Sequence, residues 1–169
     1  MAAFPTDQNG NPLSAEEVYR LIGGKVLAAH ENNPDAFRNA CTLRMSRALI
    51  YAGIKIPYIK GATLTGADGY NYIFRASDMY KWLSKPSVFG APDISTSNIA
   101  QIKGMQGIYI MQAHYPANFG AWGHVTLYNG YDFIGNGYIG EPVVHLGDID
   151  FNIINVSVKD KLIYVLNHC

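Results

Sequence analysis

Helical periodicity fills the first half of this chain and strand-like alternation fills the second, and that division limits the fold more than any other feature. From about Met105 the segments "GIYIMQAH", "WGHVTLYNG", "YDFI", "PVVHL" and "LIYVL" are β-branched or aromatic and are separated by turn residues. Helices first and an antiparallel sheet second predict an α+β domain, helical over about 14–84 and sheet over about 105–167. The 169 residues make one domain (1–169), long enough to bury a core.

Within the helical part, "SAEEVYRLI" opens with Ser14 as an N-cap and Glu17 three places on, a capping box, and Val18, Leu21 and Ile22 supply an apolar face. Gly23-Gly24 interrupts the pattern, and the proline of "ENNPD" ends the region. A further helix is predicted over about Asn39 to Ala52, with Gly53 as its stop and Pro57 beyond. Cys41, Met45, Ala48, Leu49 and Ala52 share one side of it, which faces the core. "YNYIFR" reads as a strand leading into a short helix, "SDMYKWL", capped by Ser77, and "SKPSVFGAPD" reads as loop. Asn129-Gly130 is a strong hairpin signal. "GNGYIG" matches GxGxxG, but more strand follows it rather than a helix, so it reads as a glycine-rich turn.

Thirteen basic and thirteen acidic residues cancel, leaving no global field to recruit nucleic acid or an anionic membrane. No stretch is long enough for a membrane span. The opening "MAAFPTDQNGNPLSAEE" lacks a basic segment followed by an apolar run, so the expectation is cytoplasmic synthesis without a secretory signal. The two cysteines, Cys41 and Cys169, are too few for a disulfide framework, though they could bridge each other, and no zinc pattern or cofactor motif is present.

Cys41 is the residue on which function turns. With Asn39 as N-cap it falls in the first turn of its helix, where unpaired N–H groups and the helix dipole favour an anion and stabilise a thiolate. The backbone N–H of Cys41 can also receive the negative oxygen of a tetrahedral intermediate. The competing reading is a buried, inert thiol. A nucleophilic thiol needs a base, and His124 at the start of the strand "GHVTLY" is the first candidate, sharing a face with residues 126 and 128. A satisfied polar residue at a sheet end is its competing reading. His114 and His145 are weaker candidates, and His30 and His168 read as loop or terminal residues.

A third residue must orient the imidazole. A loop of only Asn129-Gly130 sets Gly135 opposite His124; one more residue brings Asn136 opposite, which makes Asn136 the first choice and Asp132 the second. Arg44, Asn39 and Trp122 are candidates for holding substrate, Arg44 through a substrate carboxylate; on a helix surface Arg44 also reads as a solvated or structural charge.

Together "FRNACTLRMSRAL", "IGGKV", "YIFRASDMYKWL", "IKGMQGIYIM" and "GHVTLYNG" resemble the type VI secretion amidase effectors of family 4, NlpC-type cysteine peptidases with a papain-like core. The resemblance runs from about Ile22 to Gly130. It implies Cys41 as nucleophile and His124 as base. It also implies cleavage of peptidoglycan stem peptides between D-glutamate and meso-diaminopimelate, and secretion by the type VI apparatus into the periplasm of a rival Gram-negative cell. A cognate periplasmic immunity protein is the implied partner. The family's third residue is an aspartate whose ungapped counterpart here is Gly135, and the cysteine pair some members carry nearby is missing. Other acyl-transfer chemistry on the same core, a deamidase or transglutaminase, and a catalytically inactive cell-wall-binding domain are the alternatives.

Overall fold

The computed structural model describes residues 4–113, 121–135, 137–138 and 149–155, the last segment by its backbone. The predicted capping box is present: the Ser14 hydroxyl accepts from the Glu17 N–H, and the Glu17 carboxylate accepts from the Ser14 N–H at 2.8 Å. It starts helix α1 (Ala15–Ile22), whose buried face is Val18, Tyr19 and Ile22, while Leu21 stays exposed. The break at Gly23 separates α1 from α2 (Gly24–Asn32). Helix α3 (Cys41–Tyr51) buries Met45, Ala48 and Leu49 completely, with Cys41 and Ala52 half-buried at its two ends.

A two-stranded ribbon follows, β1 (Thr63–Thr65) paired antiparallel with β2 (Asn71–Ile73), then α4 (Ala76–Leu83). Ser77 is not the cap of α4: the N-cap is Arg75, whose side chain makes no capping bond but reaches Asp78 at 2.6 Å. The main sheet is antiparallel in the order β3 (Ile94–Thr96), β6 (Ile149–Asn155), β4 (Gly107–Ala113), β5 (Gly123–Tyr128). Strands β1, β3 and β6 were not anticipated, and "YDFI" contributes a single bridge, Phe133 to Tyr128, rather than a strand. "PVVHL" and "LIYVL" lie outside the described residues.

The sheet divides the core. Ile108, Ile110, Val125 and Leu127 pack with Leu43, Met45, Ala48 and Leu49 of α3 in one cluster. On the other face Tyr109, Met111 and Tyr128 pack with Ile102, and with Phe133 and Tyr138 of the chain beyond β5. Burying four such helix side chains contributes several kcal/mol at about 25 cal/mol per Å2 of apolar surface. Ser46, fully buried, adds a polar stitch: its hydroxyl donates to the Ile73 carbonyl at 3.1 Å and accepts from the Ile73 N–H at 3.0 Å. Helix α3 is thereby fixed against both β5 and the ribbon, and the position of its first residue follows.

Candidate active site

Cys41 is the first helical residue of α3, one place nearer the helix end than expected. The N-cap is Ala40, not Asn39, and no side chain caps the helix. The leading N–H groups of a helix have no partner within it and carry its positive end, so the first turn at Cys41 favours an anion. Cys41 carries a free, half-buried thiol with Sγ 3.7 Å from the Thr42 hydroxyl. Cys169 lies outside the described residues.

Asn39 does different work. Its carbonyl accepts from the Tyr19 phenol at 3.2 Å, and two residues earlier the Phe37 carbonyl meets His30 Nδ1 at 3.1 Å. The Tyr19 and His30 rings stack at 4.3 Å. One stacked pair therefore holds the backbone of the segment that delivers Cys41. His30 is a residue of α2, not of a loop. Burial first, then the neighbouring Cys41, pushes the Tyr19 phenol up to about 12, with Arg44 pulling the other way, so it stays a neutral donor at physiological pH.

His124 stands at the start of β5 directly after Gly123, where a side chain would collide with the Met111 carbonyl of β4; only glycine permits that approach. The His124 ring meets Tyr138 edge-on at 4.8 Å, and its Nε2 is shielded from solvent. Cys41, His124, Arg44 and Tyr138 line one cavity of about 380 Å3, together with Asn39 and Arg38. The candidate nucleophile and base thus share one cleft.

The family model for the type VI secretion system (T6SS) amidase effector protein 4 matches residues 37–159, a span that includes both Cys41 and His124. The chain belongs to amidase effector family 4. Tae4 from Enterobacter cloacae, solved as an effector–immunity complex with Tai4, is 37% identical over 85% of this chain and 89% of that one, with a TM-score of 0.69. The same effector solved alone is 33% identical over 92% of this chain and 99% of that one, at a TM-score of 0.70. The Tae4–Tai4 complex from Salmonella Typhimurium gives 29% identity, 85% and 89% coverage and a TM-score of 0.66. None of the curated proteins matches. The mixed helix and antiparallel-sheet fold is that of these Tae4 structures, consistent with the papain-like NlpC type, and the protein is an antibacterial amidase effector of the type VI system.

In this family-4 effector the turn after β5 is longer than either expected hairpin loop. Tyr128 bridges Phe133 and the Ile134 N–H donates to the Leu127 carbonyl at 3.0 Å, so four residues, Asn129 to Asp132, close the turn. The Asn129 side-chain oxygen accepts from the N–H groups of Tyr131 and Asp132 at 2.9 and 2.7 Å, which holds the longer loop. Among the described residues beyond that turn, Tyr138 is the one whose ring meets His124. Gly135 has φ +89° and a Cβ there would come within 2.9 Å of the Pro12 ring, so the position has no room for the aspartate of the family pattern. Asn136, His114 and His145 lie outside the described residues. Asp132 is exposed at the other end of β5, roughly 15 Å along the strand from His124, and does not line the cavity.

Arg44 is no solvated surface charge. Its Nε and Nη2 donate to the Leu13 carbonyl at 3.0 and 2.6 Å, pinning the N-terminal segment to α3. Burial lowers its pKa and the neighbouring Cys41 raises it, which leaves a guanidinium cation beside the thiol. Trp122 is 71% exposed and lines a second cavity that also reaches Cys41. Two residues were missed by sequence reasoning. Tyr138, the one non-glycine residue at positive φ (55°) among those described, had no pattern to announce it, whereas Tyr19 was visible as a tyrosine in a helix facing the core.

Proposed function

We infer that this effector hydrolyses the γ-D-glutamyl–meso-diaminopimelate bond of peptidoglycan stem peptides as a cysteine peptidase. The observation that carries the reading is the placement of a half-buried thiol at the first residue of α3 and an imidazole at the start of β5 in the same cavity. The Cys41 sulfur attacks the γ-carbonyl and its proton passes to His124. The oxyanion is received by the Cys41 N–H and its neighbours in the first helical turn. As the tetrahedral intermediate collapses, His124 returns the proton to the leaving amine, and a thioester remains. Water, deprotonated by His124, then releases the D-glutamyl acid. Asn136 is proposed to orient the imidazole through its amide oxygen. Arg44, Asn39 and Trp122 border the space the substrate would fill.

The type VI apparatus delivers this effector to the periplasm of a Gram-negative target. A cognate immunity protein protects the producer, as Tai4 accompanies Tae4 in the solved complexes. Digestion of purified sacculi tests the chemistry. The expected outcome is new free diaminopimelate amines in the fragments, reduced about a thousandfold or more in Cys41→Ala. Equal release by Cys41→Ala, or no new amine with the parent protein, would overturn the reading.

A further inference from the structure

We propose that the cleft is read in one direction. The amine side of the substrate lies in the Arg44 lobe, where Arg44 takes a carboxylate of the departing residue, and the acyl side lies in the Trp122 lobe. This rests on the amidase reading above. Two cavities share Cys41 together with Arg38, Asn39, Ala121 and Gly123. One, of about 380 Å3, holds His124, Arg44 and Tyr138. The other, of about 450 Å3, holds Trp122, Phe37, Phe74 and Arg75 and does not include His124.

The difference sets the direction. The group that protonates the leaving nitrogen must lie within hydrogen-bond reach of it, so the nitrogen and whatever it carries must sit in the lobe that contains His124. The two substituents of the attacked carbonyl diverge, which sends the acyl chain into the other lobe. The linings match that assignment. Arg44 uses two of its five N–H donors on the Leu13 carbonyl. Three others remain on a half-buried guanidinium already fixed in place, and such a group favours a carboxylate partner. The Trp122 lobe sets an aromatic surface beside the charged side chains of Asp35, Arg38 and Arg75: Phe37 and Phe74 lie 5.5 Å apart, the Arg75 guanidinium covers Phe74 at 5.1 Å, and the exposed indole lines the same space. It suits the alkyl and methyl groups of an acyl-side extension.

Four soluble substrates test the direction: γ-D-Glu–diaminopimelate, the same peptide extended by L-Ala on the acyl side, and the extended peptide amidated either at the diaminopimelyl carboxylates or at the glutamyl α-carboxylate. For Arg44→Gln, kcat/KM on the extended peptide should fall about tenfold to a hundredfold. The penalty should vanish when the diaminopimelyl carboxylates are amidated and persist when the glutamyl one is. For Trp122→Ala, the ratio of kcat/KM between extended and short peptides should drop by about fivefold or more. Arg44→Lys, with Tm measured beside it, separates lost recognition from a loosened Leu13 contact, since it keeps the charge and should recover part of the loss. An Arg44 penalty cancelled by glutamyl amidation, one that no amidation alters, or a Trp122 penalty indifferent to acyl length would overturn the direction. Parent protein that cleaves none of the four would overturn the amidase reading itself.

Discussion

Cys41 ends a segment fastened from several sides, whereas His124 begins a strand completed by a long loop and a left-handed tyrosine. On the cysteine side Tyr19 and His30 hold the backbone at residues 39 and 37, Arg44 grips Leu13, and Ser46 bonds twice to Ile73. On the histidine side the chain returning from β5 offers the Asn129 loop, Gly135 against Pro12, and Tyr138 at φ 55°. The first arrangement is built on helices whose register is set by 3.6-residue periodicity. The second depends on the length of one turn, where a single residue changes which group faces the imidazole. The contrast teaches that the position of the Cys41 thiol is over-determined while the surroundings of the His124 imidazole are tunable.

The largest effect that would break this contrast is Ser46→Ala. Losing one hydroxyl strands both a buried N–H and a buried carbonyl of Ile73, so urea unfolding should show a destabilisation of about 2–4 kcal/mol. A change below about 0.5 kcal/mol would mean that α3 is not fixed by the ribbon. Next comes Gly135→Asp, which restores the family's carboxylate without a gap. At φ +89° and against the Pro12 ring it should cost about 1–3 kcal/mol and leave kcat no higher than the parent's; a gain in kcat would show that position 135 can serve the imidazole after all. The smallest effect is expected from Tyr19→Phe, which leaves the Asn39 carbonyl without its phenol partner. About 1 kcal/mol of stability should be lost, and alkylation of Cys41 by iodoacetamide should change in rate. An unchanged rate would remove the stacked pair from any role in presenting the thiol.

Legibility from sequence follows the same divide. The capping box, α3 and β5 were readable because each is announced by local chemistry: Ser14 with Glu17, a run of apolar residues at helical spacing, and alternation in "GHVTLY". Cys41 and His124 came with them. Strands β1 and β3 have three residues each, too short for a period to show, and β6 carries Asp150, Asn152 and Asn155, which weaken its strand signature. Asn39 was a good cap type, yet Ala40 holds the position because Tyr19 ties down the Asn39 carbonyl. Asn129-Gly130 signalled a hairpin correctly and its length wrongly, since the asparagine side chain organises two further residues into the loop. Long-range partners such as Leu13 for Arg44 leave no trace in local pattern.

That grip on Leu13 has a mechanical consequence. The residues ahead of α1 are tied, through one carbonyl, to the cation that borders the Cys41 sulfur, with Phe4 buried among them. A load applied to this leading strap, by a fused carrier or by threading through a narrow conduit, is therefore transmitted to the wall of the cleft.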